Sequence, residues 1–198
     1  MSLILFMETD EGLILTGDSR VSSENDENWH KDDAYKVFEC SGRIGIAYHG
    51  AADIRGETIE KIIVRFINSV DEKYSVFKVA TKFQEYIKNQ FPTRKTIFYV
   101  MGYDDNREIY KFDTLNDIIE NESDCVHGSG GDDEIAWNMM KGKFDVHDTV
   151  FDAINFINSI YERTMNNNNK VGGAIDMLLI SPSSGTKWLY KKVDAKLS

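Results

Sequence analysis

Two rhythms of apolar residues alternate along the chain. Residues 3–7 (LILFM) are continuously apolar, Thr9-Asp10-Glu11-Gly12 supplies a tight turn, and residues 13–15 resume the run, which predicts a hairpin with both strands substantially buried. A polar stretch over residues 18–33 reads as a surface loop, after which YKVFECSGRIGIAYHG predicts two more strands around Ser41-Gly42. The period then changes. Ile59, Ile62, Ile63, Phe66, Ile67 and Val70 recur at helical spacing, and a second helix over residues 74–88 places Val76, Ala80, Phe83 and Ile87 on one face, with Pro92 beyond its end.

Strand patterning returns in KTIFYVMGY and EIYKFD, which flank Asp104-Asp105-Asn106 as a hairpin, and SDCVHG adds a short strand. A third helix is expected from about Asp132 to Met140, and a fourth carries Val150, Ile154, Ile157, Tyr161 and Met165 on one stripe. AIDMLLIS, the turn Pro182-Ser183-Ser184-Gly185 and TKWLYK close the chain as a hairpin, while Asn166-Asn167-Asn168-Asn169 caps the fourth helix or forms a loop. The order is strands, two helices, strands, two helices, strands. Hairpins and paired helices favour two antiparallel sheets faced by helix pairs over a doubly wound parallel sheet. With 198 residues, no repeat and no linker, a single domain over residues 1–198 is expected.

Composition narrows the function more than the fold. Apolar residues at 41% and charged residues at 28% describe a folded globular chain. A net charge of -10, with no clustering of Lys and Arg, argues against nucleic acid and anionic membranes as partners. No apolar run reaches the roughly 18–20 residues of a membrane span, and the start lacks a secretory signal, so a cytoplasmic location is expected. Cys40 and Cys125 lack metal-ligand spacing and read as reduced thiols, and His30, His49, His127 and His147 are scattered without the spacing of a zinc site. Gly128, Gly130 and Gly131 are followed by no GK[ST], which leaves helix-start packing as their simpler reason. No cofactor is implied.

Three segments place chemistry near strand ends: Ser2 beside the start, GDSR at residues 17–20, and YKVFE at residues 35–39. A serine hydroxyl is a weak nucleophile without a base in reach, and a chain's own free amine is such a base. Removal of Met1, favoured before a small residue, would create that amine at Ser2. Taken singly, Ser2 is an ordinary post-methionine serine and Asp18 a turn residue capping local N–H groups. Lys36 is a strand-edge charge whose role turns on which face it takes.

DEGLILTGDSR, YKVFE followed by GIAYHGAAD, HGSGGDDEIAW and VGGAIDMLLI, in this order across residues 3–180, resemble the proteasome β-type subunits and their bacterial relatives, N-terminal nucleophile hydrolases. The α-type subunits match less well, lacking here their N-terminal extension. The resemblance implies a four-layer αββα sandwich, with the family's terminal nucleophile on Ser2, its strand-end aspartate on Asp18, its catalytic lysine on Lys36 and its amine-contacting serine on Ser129. The oxyanion-hole glycine falls on His49, which keeps the backbone N–H but adds a bulky side chain, and the specificity-pocket floor falls on Ala47. The family's late D-x-x-S-G-G falls on Asn168, Val171, Gly172 and Gly173, so a carboxylate becomes an amide and a hydroxyl becomes isopropyl.

The resemblance also implies a homo-oligomeric ring, exposed helix faces such as residues 59–70 packing against neighbouring subunits, peptide or unfolded-protein substrates and an ATPase regulator. The expected activity is peptide hydrolysis through Ser2. The alternatives are a catalytically silent subunit serving assembly or scaffolding, and a hydrolase of small amides.

Overall fold

The computed structural model describes residues 2–22, 29–131, 133–141 and 149–192. Met1, residues 23–28 of the expected loop, Asp132 and His147 lie outside them.

The elements in chain order are β1 (Leu3–Thr9), β2 (Gly12–Asp18), β3 (Val21–Ser22), β4 (His30–Lys31), β5 (Val37–Cys40), β6 (Ile44–Gly50), β7 (Asp53–Ile54), β8 (Glu57–Thr58), α1 (Ile59–Ile67), α2 (Val76–Lys88), β9 (Thr96–Tyr103), β10 (Arg107–Asp113), β11 (Ile119–Asn121), β12 (His127–Gly131), α3 (Glu134–Met140), α4 (Val150–Asn167), β13 (Ile175–Ser181) and β14 (Gly185–Tyr190). Two five-stranded antiparallel sheets, in the orders β12-β1-β2-β13-β14 and β11-β10-β9-β6-β5, dominate.

The continuous apolar runs are explained by burial on both faces. Leu3, Leu5 and Met7 of β1 point to α3 and α4, whereas Ile4 and Phe6 point into the layer between the sheets. Met177 and Leu179 of β13 likewise face the helices while Leu178 and Ile180 face the other sheet. In the second sheet, Ile44, Ile46 and Tyr48 meet α1 and α2, and Ala47, Tyr99 and Met101 complete the inter-sheet layer. The result is the expected four-layer αββα sandwich.

Several details differ from the sequence reading. Ile59, Ile62, Ile63 and Phe66, expected to meet neighbouring subunits, are buried against their own sheet, because that face of α1 is the one that covers β6 and β9. Helix α1 stops at Ile67, and Ser69 N–H and Val70 N–H close tighter turns onto Phe66 O and Ile67 O, so Val70 lies past the helix. Helix α2 starts at Val76 because Ser75 caps it, its hydroxyl accepting from Lys78 N–H at 3.1 Å. The strand expected at SDCVHG begins later, at His127, and β3, β4, β7, β8 and β11 are short strands that the patterning does not announce.

Candidate active site

Strand β2 ends in Asp18 and β5 is preceded by Lys36, so facing strand ends of the two sheets deliver a carboxylate and an ammonium to one place. Lys36 is 2% exposed and its Nζ lies 2.8 Å from Asp18 Oδ1 and 2.5 Å from Arg20 O. The question left open by alternation is thereby answered: Lys36 faces inward. Gly17 permits the approach, since a Cβ there would stand 3.0–3.2 Å from Ile4, Val37 and Lys36 side chains. Burial pushes the Lys36 ammonium below the usual lysine range, and the adjacent Asp18 opposes that shift. Removing one partner of such a pair costs about 3–5 kcal/mol, because the other charge is left buried alone.

Asp18 is a hub. Its Oδ1 also accepts Leu3 N–H at 2.9 Å, and its Oδ2 accepts Gly172 N–H at 3.0 Å and Arg20 N–H at 3.2 Å. One carboxylate therefore ties together the start of β1, the end of β2, the lysine before β5 and the loop after α4. Ser2 is buried at this junction, one residue from the Leu3 amide. On its other side, Gly131 ends β12 at φ +97°, and a Cβ there would stand 1.8 Å from Ser2 O. Only glycine fits.

Ser129 lies on β12 opposite Leu5, and its hydroxyl donates to Asp133 Oδ2 at 3.0 Å. Asp133 sits at the N-cap of α3 without capping it, its carboxylate being turned to Ser129 instead. His49, on β6, directs its ring into the inter-sheet layer. The ring stacks on Tyr99 with centroids 6.0 Å apart, and its buried Nε2 has no hydrogen-bond partner among the described residues. A Cβ on Gly130 would stand 2.8 Å from that nitrogen, so the imidazole lies directly beneath β12. Burial, reinforced by Lys111, Lys36 and Lys95, pushes its pKa down to about 4.

The late motif departs as its letters suggest. Asn168 accepts Lys170 N–H on its side-chain oxygen at 2.9 Å, a local turn, and Val171 is fully buried among the α4 core residues. The loop is nevertheless held to the site through its backbone: Gly172 N–H on Asp18, Ser19 N–H on Gly172 O at 3.2 Å, and Arg20, which grips Asp32 with two bonds of 2.7 Å and reaches Asn169 O at 2.8 Å. Ala47 is enclosed in the inter-sheet layer. A cavity of about 660 Å³ opens nearby instead, lined by Tyr35 and Val37, the neighbours of Lys36, with Phe38, Val64, Trp188 and Lys191.

Asp133, the Arg20–Asp32 pair and Tyr161, whose hydroxyl reaches Leu3 O at 3.0 Å, belong to this junction and were not singled out by sequence reasoning. A phenol amid aliphatic residues of a buried stripe was the available signal for Tyr161, since its hydroxyl must find a partner. Among the described residues no group of three His, Cys, Asp or Glu side chains is placed to hold a metal ion, and no helix is long and apolar enough to cross a membrane.

Comparison with known proteins places this geometry. No curated protein matches the sequence. Among solved structures, the Anbu (Gly-1) mutant from Hyphomicrobium sp. strain MC1 superposes with a TM-score of 0.72 over 99% of this chain and 88% of that one, at 12% identity, which establishes the shared fold. The description of the proteasome subunit family matches residues 4–177, the span holding both sheets up to the first residues of β13, and the chain belongs to that family.

Proposed function

We propose that this chain is a cytoplasmic, proteasome-like peptidase subunit in which Ser2, freed by removal of Met1, is the nucleophile. The observation that carries the reading is the buried Lys36–Asp18 pair sharing one carboxylate oxygen with the amide of Leu3, the residue next to Ser2. The terminal amine takes the hydroxyl proton as Ser2 Oγ attacks the peptide carbonyl, and the adjacent ammonium of Lys36 lowers the proton affinity of both groups. Asp18 orients Lys36 and balances its charge. The N–H of His49, at the position the resemblance gives to the oxyanion donor, is turned to Ile97 of β9 in the sheet ladder, so that donor is not supplied there; the protonated amine passes its proton to the leaving nitrogen as the C–N bond breaks. Water then attacks the acyl ester, giving its proton to the amine, and the free acid leaves with Ser2 restored. Ser129 stands opposite Leu5, two residues from Gly131, where β12 meets Ser2, and its hydroxyl is committed to Asp133 rather than to the terminal amine.

The substrates are peptides or unfolded protein, the assembly is a ring, and an ATPase would feed it. One observation favours a second reading, a silent subunit serving assembly: Asn168 and Val171 contribute no carboxylate or hydroxyl to the amine's surroundings.

Intact mass decides whether Ser2 carries a free amine, and a panel of fluorogenic peptides read against Ser2→Ala decides its role. The expected outcome is loss of the methionine and a fall of at least about 10³-fold in hydrolysis in the variant. Activity that survives Ser2→Ala rejects the assignment, and a retained Met1 makes the silent subunit the better reading.

A further inference from the structure

Tyr161 stands fully buried on α4, in the layer between that helix and the first sheet. A phenylalanine would fill the same space, and a buried hydroxyl costs stability unless it is hydrogen-bonded. This one is bonded twice. It donates to Leu3 O at 3.0 Å and lies 3.0 Å from Thr16 Oγ1, which itself reaches Leu5 O at 3.3 Å. With one proton on each hydroxyl, the phenol proton goes to Leu3 and the threonine proton to Leu5 or to the phenol oxygen.

Leu3 is thus clamped at both of its backbone polar groups by side chains from different elements: its N–H by Asp18 at the end of β2, its C=O by Tyr161 from the outer helix layer. The N–H clamp is the same carboxylate oxygen that holds Lys36. A residue held at its N–H and at its C=O, hence at the two peptide units that flank its Cα, leaves the preceding residue little room to shift, and a displacement near 1 Å at a reacting atom costs on the order of 10²-fold in rate. We infer that Tyr161 is a positioning residue, which through the carbonyl of Leu3 holds Ser2 in register with Lys36. The inference rests on the proposed nucleophile for its catalytic meaning, but not for its geometric one.

Two measurements test it. In a Ser2→Cys background, the pH profile of iodoacetamide alkylation, read by mass spectrometry on the N-terminal peptide, reports how close the introduced thiol sits to the Lys36 ammonium, since a nearby cation lowers a thiol pKa. Adding Tyr161→Phe is expected to slow alkylation at pH 7 by about threefold or more, while Thr164→Val, which removes another buried hydroxyl of α4, leaves the profile in place. In the chain with Ser2 intact, Tyr161→Phe is expected to lower kcat about 10-fold with KM unchanged on a methylcoumarin peptide. An alkylation profile unmoved by Tyr161→Phe, or moved equally by Thr164→Val, overturns the inference whatever the peptidase result. Activity that persists in Ser2→Ala overturns the proposed function and leaves the thiol comparison to decide on Tyr161.

Discussion

His49 stays neutral in the folded chain well below the pH at which an unfolded histidine takes up a proton. Its folded pKa is about 4, set by burial first and by surrounding lysines second, against about 6.5 in an unfolded chain. Between these values the unfolded state binds the extra proton, so the contribution is fully present above pH 6.5 and is lost as pH falls toward 4, reaching about 3 kcal/mol. Urea midpoints at pH 7.5 and 4.5 should therefore draw closer together in His49→Gln than in the parent. An equal gap in both would mean that the imidazole is not the group responsible.

The same residue marks what was legible at this scale. Asp18 and Lys36 were readable because short motifs fix them at strand ends, and they meet in one ion pair, whereas Ser129, read from its motif in the same way, lies in the middle of β12 opposite Leu5. The partners Asp133 and Tyr161 were not, because a capping position and a buried helical stripe each have an ordinary explanation that hides a hydrogen bond to a residue far along the chain.

At the scale of elements, β12 closes against the start of β1, and the closing residue is Gly131. Its φ of +97° and the 1.8 Å that would separate a Cβ from Ser2 O impose two separate penalties. Gly42, at φ +63° with open space around it, carries the first without the second. Gly42→Ala should cost about 1 kcal/mol in urea denaturation and leave function intact. Gly131→Ala should cost more than about 2 kcal/mol and abolish hydrolysis, because the first strand must move to admit the methyl. Equal losses in the two variants would show that the contact with Ser2 is not tight.

The long strands were legible as apolar runs and α1, α2 and α4 from their helical stripes, whereas α3, seven residues long, was expected without a stripe of its own. The short strands β3, β4, β7, β8 and β11 were not, being two or three residues each, too brief for a period to register.

For the whole molecule, the two sheets share one inner apolar layer and spend their outer faces on helices, so the stripe of α1 is satisfied within the chain. In the proposed ring, association would use other surfaces, and Phe77, Trp137 and Phe151 are exposed on helices in both outer layers. Native mass spectrometry at micromolar concentration should find a closed multi-subunit ring, and a monomer there would contradict both the peptidase and the scaffold readings. Sequence patterning predicted the layers, and the ring implied by the resemblance gave the stripe of α1 to the neighbours, because an apolar stripe looks the same whether its own sheet or another subunit covers it.

The order of strands in the first sheet has a consequence in time. Strands β1 and β2 are made before their neighbours β12, β13 and, through Tyr161, α4, all of which lie beyond residue 126. Ser2 has no Gly131 to rest against until residue 131 has been made, and Asp18 has no Gly172 to bind until residue 172 has. The junction around Asp18 and Lys36 therefore closes only late in synthesis, and a chain cut short before Gly172 cannot complete it.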